Sequence, residues 1–170
     1  VFYIEADSRL AKAHQILSDK ISRESVLREI LKPVRGKFDT ILIDTPPTVD
    51  NLTVNAITAS TAFVVPCDMS IDAFLGAETI LTLVEQLRSK GHTQTKFLGT
   101  LLCGYEKPNS KLARQIRDII KDEYADLPIK TLIPATVKVA EAAAEGLTPF
   151  QMFPTHQVTK AYERVIQSIT

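Results

Sequence analysis

The chain has 170 residues, 45% of them hydrophobic and 24% charged, which suffices for one buried core and reads as a single globular domain of ordinary composition. Its 20 basic and 20 acidic residues cancel, so no global positive field draws it to nucleic acid or anionic lipid, and any such contact must use a local patch. No apolar run is long enough to cross a bilayer as a helix, and the cytoplasm is the expected compartment.

Taken in chain order, apolar runs predict strands near 1–5, 39–44, 62–66, 97–103 and 129–133. Helical spacing predicts helices near 8–17, 23–35, 50–58, 74–89, 109–124, 137–145 and 155–168. Alternating strands and helices imply an α/β fold, a mostly parallel twisted sheet with helices on both faces. Cys67 and Cys103 lie at the ends of predicted strands without a C-x-x-C pairing, and read as buried structural thiols. His14, His92 and His156 are scattered and form no metal-ligand spacing.

The most informative stretch is Phe38-Asp39-Thr40-Ile41-Leu42-Ile43-Asp44-Thr45-Pro46-Pro47. Ile41, Leu42 and Ile43 are the continuous apolar run of a strand covered on both faces, and Asp44 follows at its carboxyl tip. Ligands of open α/β sheets bind outside the carboxyl ends of strands, so a carboxylate there can hold Mg²⁺, usually through water, beside a nucleotide phosphate. The alternative role for Asp44 is to cap the next turn or helix. Pro46 and Pro47 stiffen the turn, and Thr48 to Ile57 resumes with capping residues and apolar spacing.

The run Ile41 to Pro47 followed by Leu52-Thr53-Val54-Asn55-Ala56 resembles the switch II region of ParA/Soj-type partition ATPases, relatives of MinD. Val64-Val65-Pro66, then Ala73 and Gly76, then Phe97-Leu98-Gly99-Thr100-Leu101-Leu102 match the family's order of strand, helix and strand. The closing pattern is similar too: Ile133-Pro134, Glu141-Ala142, Gly146, Pro149 and Pro154. Two departures stand out. Ala135 follows Ile-Pro where the family commonly has Arg, and its Gly-x-Pro spacing is stretched to Gly146-Leu147-Thr148-Pro149.

A phosphate-binding loop needs G-x-x-x-x-G-K-[ST], and the one glycine pair at that spacing, Gly99 and Gly104, runs on into Tyr105-Glu106. In ParA relatives this loop lies ahead of where Val1 aligns. The expectation is therefore a single ParA-like domain over 1–170 that corresponds to the C-terminal two thirds of the family and lacks its Walker A portion. As it stands, the chain is expected not to hydrolyse ATP. The alternatives are a regulatory paralogue without a P-loop, acting as a protein-binding module, and a MinD-like membrane positioner.

The resemblance implies ATP and Mg²⁺ as cofactors. Asp44 becomes the candidate catalytic and Mg²⁺-orienting residue, with Thr45 and Pro46 in the switch. Gly104, Tyr105, Pro134, Ala135 and Thr136 would border the adenine. It further implies an ATP-dependent homodimer, an activating ParB-like partner, and sequence-independent binding to nucleoid DNA in the cytoplasm. In the helix predicted over 109–124, Lys111, Arg114, Arg117 and Lys121 gather opposite Leu112, Ile116, Ile119 and Ile120. This stripe is either a solvated face or the DNA-binding surface, which Lys107 and Lys138 would extend. The last helix carries only Lys160 and Arg164 beside Glu163 on its polar side, so packing onto the sheet is expected rather than membrane anchoring.

Overall fold

The computed structural model describes residues 2–7, 10–46, 48–105, 118 and 129–169. The chain divides into two compact units, Val1–Phe63 with Ile80–Lys96, and Val64–Thr79 with Phe97–Thr170.

In the first unit, helix α1 (Leu10–Ser18) is followed by a 3-10 turn (Arg23–Ser25), helix α2 (Val26–Leu31) and a second 3-10 turn (Lys32–Val34). The single helix expected over 23–35 is thus broken into short pieces. Pro33 sits in the first turn of the second 3-10 element, where its missing N–H and fixed φ prevent an α-helix from running through. Helix α3 (Asn51–Ala59) starts where its cap dictates: Asp50 is extended, and its carboxylate accepts from Leu52 N at 2.8 Å and Thr53 N at 3.1 Å. Ile57, Val84 and Leu87 form the apolar core of this unit, with Val54, Phe63, Ile80 and Leu83 packed around them.

The strands expected over 1–5 and 39–44 do not form among the described residues. Both stretches run without ladder pairing, and Phe2 meets Phe38 edge to face at 5.8 Å between ring centroids. An apolar run becomes a strand only when a neighbouring strand takes up its N–H and C=O groups, and the described residues place none beside these two.

Strands β1 (Ala62–Cys67), β2 (Lys96–Tyr105) and β3 (Ile129–Pro134) make a three-stranded sheet in the order β1-β2-β3, with helix α4 (Ile71–Ser89) between the first two in sequence. β2 and β3 run parallel, pairing Leu101 with Thr131, Leu102 with Leu132 and Tyr105 with Pro134. This is the α/β architecture expected from the alternating elements. Pro66, which cannot donate to a ladder, is exposed on β1, the edge of the described sheet.

Helices α5 (Lys138–Ala144), α6 (Pro149–Met152) and α7 (Gln157–Ile169) close the second unit. Gly146 ends α5 at φ 66°, donating to Ala143 O at 3.0 Å while Leu147 N reaches Ala142 O at 2.9 Å, a left-handed helix stop that favours glycine. Thr148 then caps α6 in a reciprocal box with Gln151, and Pro149 occupies its first turn. The stretched Gly-Leu-Thr-Pro spacing therefore holds a helix stop and a helix start back to back. As expected, α7 packs on the sheet: Val158, Ala161 and Val165 form one core with Leu101 and Ile133, whereas Ile166 remains 48% exposed.

Candidate functional site

Two groups of predicted site residues are described, one in each unit. The first is Asp44, Thr45 and Pro46, all exposed. The second lies at the carboxyl ends of β2 and β3. Parallel pairing of Tyr105 with Pro134 sets Gly104 and Tyr105 next to the segment Pro134-Ala135-Thr136, so these five residues are brought to one edge of the sheet. That edge is where ligands bind in open α/β folds.

The local chemistry of this edge follows from its residues. Gly104 has φ 68° and no heavy atom within 4 Å of where a Cβ would stand, so the backbone turns freely with open space beside it. Pro134 offers only a carbonyl, and Ala135 is exposed and brings no charge. Thr136 Oγ1 accepts from Lys138 N at 3.2 Å, which leaves its hydroxyl proton available to donate. Such a set of main-chain groups and one hydroxyl suits a flat heterocycle better than a phosphate. The exposed Asp44 carboxylate is a hard oxygen donor of the kind Mg²⁺ takes through water.

The basic stripe Lys111, Arg114, Arg117 and Lys121 lies outside the described residues, as does Pro47. Lys138, considered as an extension of the stripe, is already engaged. Its Nζ lies 2.7 Å from Glu141 Oε2 and 4.8 Å from the centre of the Phe153 ring, so it is not a free cation for a phosphate.

Of the two thiols expected to be buried, Cys67 is buried and Cys103 is half-buried. The pKa of Cys67 is pushed up to about 11, chiefly by burial, with Cys103 and Asp68 adding to it. Burial and then Asp68 raise Cys103, and burial followed by Cys103 raises Tyr162. Thiols held protonated this way are poor nucleophiles and poor metal ligands at neutral pH. Among the described residues no cluster of His, Cys, Asp and Glu could hold a metal ion.

The first unit also contains an open pocket of about 330 Å³ lined by Arg28, Arg35, Thr58, His92 and Thr93. Both guanidiniums serve the backbone there, Arg28 donating to His92 O at 3.1 Å and Arg35 to Ala59 O at 3.2 Å. Their work is to satisfy carbonyls at chain turns.

Sequence reasoning overlooked the polar residues that fix α3. Asn55 is 3% exposed and uses both ends of its amide, accepting from Leu27 N at 3.0 Å and donating to Arg23 O and Asn51 O at 2.7 Å each. Thr58 donates to Glu24 O, and Thr53 Oγ1 donates to Thr48 O at 2.5 Å. The spacing Thr48-x-Asp50-x-x-Thr53 was the available signal, since hydroxyls and a carboxylate at a helix start bond locally.

The fold is that of the α/β P-loop-type ATPases. The family described as AAA domain matches residues 2–97, and the chain is 34% identical over 143 residues to the sporulation initiation inhibitor protein Soj of Bacillus subtilis, covering 84% of this chain and 56% of that protein. The chain belongs to the ParA/MinD-type family of P-loop ATPases.

Solved structures agree on the fold. An ATP complex of a McdA variant from Cyanothece superposes with a TM-score of 0.84 at 22% identity, over 96% of this chain and 64% of that one. The septum site-determining protein MinD of Pyrococcus horikoshii, complexed with Mg-ADP, superposes with a TM-score of 0.67 at 19% identity, over 86% and 56%. The chain spans 56–66% of the length of curated relatives such as Soj.

Proposed function

We infer that the protein works as a ParA-like positioning ATPase: ATP with Mg²⁺ drives homodimerisation, the dimer binds DNA without sequence preference, and a ParB-like partner stimulates hydrolysis and release. Nucleoid-associated action in the cytoplasm follows from that cycle. The observation that carries the reading is the pairing of Tyr105 with Pro134, which gathers Gly104, Tyr105, Pro134, Ala135 and Thr136 at the ligand-binding edge of a parallel sheet. Family membership and the ATP and Mg-ADP complexes of McdA and MinD support the cofactors.

In this reading Gly104, Tyr105 and the 134–136 segment border the adenine through main-chain groups. Asp44 would hold Mg²⁺, and through it the phosphate charge would be coupled to Thr45 and Pro46. Bound Mg²⁺ supplies charge neutralisation on the phosphates, and the protein's part is positioning. Lys111, Arg114, Arg117 and Lys121 carry the DNA contacts.

The test uses protein expressed from the complete gene. Asp44→Asn keeps shape and removes charge, and it is expected to retain the fold while losing Mg²⁺-dependent ATP turnover. Unaltered turnover would reduce Asp44 to a structural cap. Replacing Lys111 and Arg114 with Glu is expected to weaken binding to any DNA sequence and to flatten the salt dependence, by about one unit of log-log slope for each phosphate no longer neutralised. Equal affinity and slope in a filter-binding salt series would return the stripe to a solvated face.

A further inference from the structure

Between Asp44 and helix α3 the chain is locked by a short relay of hydrogen bonds. All three polar groups of Thr48 are engaged. Its N donates to Pro46 O at 2.8 Å, its carbonyl accepts from Thr53 Oγ1 at 2.5 Å, and its hydroxyl donates to Asp50 Oδ2 at 3.1 Å. The other oxygen of Asp50 accepts from Leu52 N and Thr53 N. Thr53, 4% exposed, thus ties the chain before the helix to the helix itself.

The helix at the far end of this relay is itself anchored. Asn55 bonds to Arg23 O and Leu27 N, Thr58 to Glu24 O, and Asn51 Nδ2 donates to Ser18 Oγ at 3.1 Å. Buried amide and hydroxyl groups bonded in this way are directional, and shifting the helix would leave several of them unsatisfied in a site closed to water. Apolar contacts alone would tolerate a slide. Among the described residues between Asp44 and Thr48, Pro46 is drawn into this network through its carbonyl, which Thr48 N bonds.

We propose that Thr53 and Thr48 are positioning residues for Asp44: they pin the distal end of the Asp44–Thr48 segment to an immobile α3, so that any nucleotide-dependent movement of the carboxylate stops at Thr48. This rests on the ATPase reading above. Asp44 is placed by a tether only a few residues long, and loosening the tether displaces the carboxylate without touching the surfaces that bind nucleotide. A misplacement on the order of 1 Å is enough to cost a large factor in rate.

Three variants of the protein expressed from its complete gene test this by steady-state ATPase kinetics with Mg²⁺. Thr53→Val keeps the side-chain shape and removes the hydroxyl, and its kcat is expected to fall about tenfold or more with KM for ATP within about twofold. Thr53→Ser retains the hydroxyl and is expected to stay within about twofold of the parent in both parameters. Thr48→Val, at an exposed position where folding is not in question, breaks only the bond to Asp50 and is expected to lower kcat by a smaller factor. An active parent with kcat unchanged in both valine variants overturns the proposal and leaves the ATPase reading standing. A Thr53→Ser variant as slow as Thr53→Val overturns it too, because packing would then be the cause. A parent without ATPase activity overturns both readings together.

Discussion

Residues 39–46 and Ile129–Pro134 are both short apolar runs closed by proline, with a threonine nearby: Ile41, Leu42 and Ile43 in the first, Leu132 and Ile133 in the second. Their surroundings differ. Ile129–Pro134 lies parallel to β2 and beneath α7, and Ile133 is 3% exposed among Leu101, Val158, Ala161 and Val165. In the other stretch no ladder forms among the described residues, and Leu42 is 84% exposed. Nearly the same local chemistry thus yields a core strand in one place and an exposed run in the other. Among the described residues, what differs is the presence of a partner for the backbone, because a strand's hydrogen bonds always belong to a neighbour.

The widest contrast comes from truncating one apolar residue in each run. Ile133→Ala is expected to cost about 2–5 kcal/mol, since a buried side chain is removed and a cavity left behind, whereas Leu42→Ala should stay within about 0.5 kcal/mol. Urea unfolding of the two variants measures both. A cost at Leu42 as large as that at Ile133 would mean that residues 39–46 are packed after all, and the contrast would collapse.

A smaller effect separates the way α3 is held from the way α7 is held. α7 sits on apolar contacts, and α3 depends on Asn55, whose removal leaves Leu27 N and Arg23 O without partners. Asn55→Ala is expected to cost about 1–3 kcal/mol in the same unfolding experiment, despite removing little apolar surface. A change under about 0.5 kcal/mol would show that water replaces the amide and that α3 is not fixed by its polar bonds.

The smallest effect concerns Cys67, at the end of a paired strand. Its folded pKa of about 11 exceeds the ordinary thiol value of 9.0, so the native state holds its proton where the unfolded chain has released it. Its contribution to stability is therefore fully present below pH 9 and declines as pH rises through about 11. Alkylation of the native protein should accordingly be slow near pH 8 and become fast only well above it. A rate at pH 8 equal to that of an unfolded control would contradict burial of this thiol.

Much of the fold was legible because its signals are local. Asp50 before an apolar helical run and the alternation over 62–103 and 129–134 act within a few residues, and α3 and the strands β1 to β3 formed where they place them, whereas the short helix α6 was not expected. Pro33 was an equally local signal, and it accounts for the break in the helix expected over 23–35. The candidate adenine edge was read from resemblance, and the structure adds the register of Tyr105 against Pro134, which no local pattern encodes. Asn55 went unnoticed because in Leu52-Thr53-Val54-Asn55-Ala56-Ile57 it looks like one polar residue in an apolar helix. Its partners are Arg23 and Leu27, about thirty residues away, and only the packed chain brings them within reach.

The sequence by itself determined most of the helices, the cap at Asp50 and the family, because each follows from side-chain chemistry acting over a turn or two of chain and from motifs read in order. Tertiary structure alone decided which apolar runs became strands, which polar side chains became buried anchors, and which candidate ligand-binding residues came to share an edge. Those outcomes depend on hydrogen-bond partners and covering surfaces supplied by distant parts of the chain, and a buried donor or acceptor is stable only where such a partner arrives.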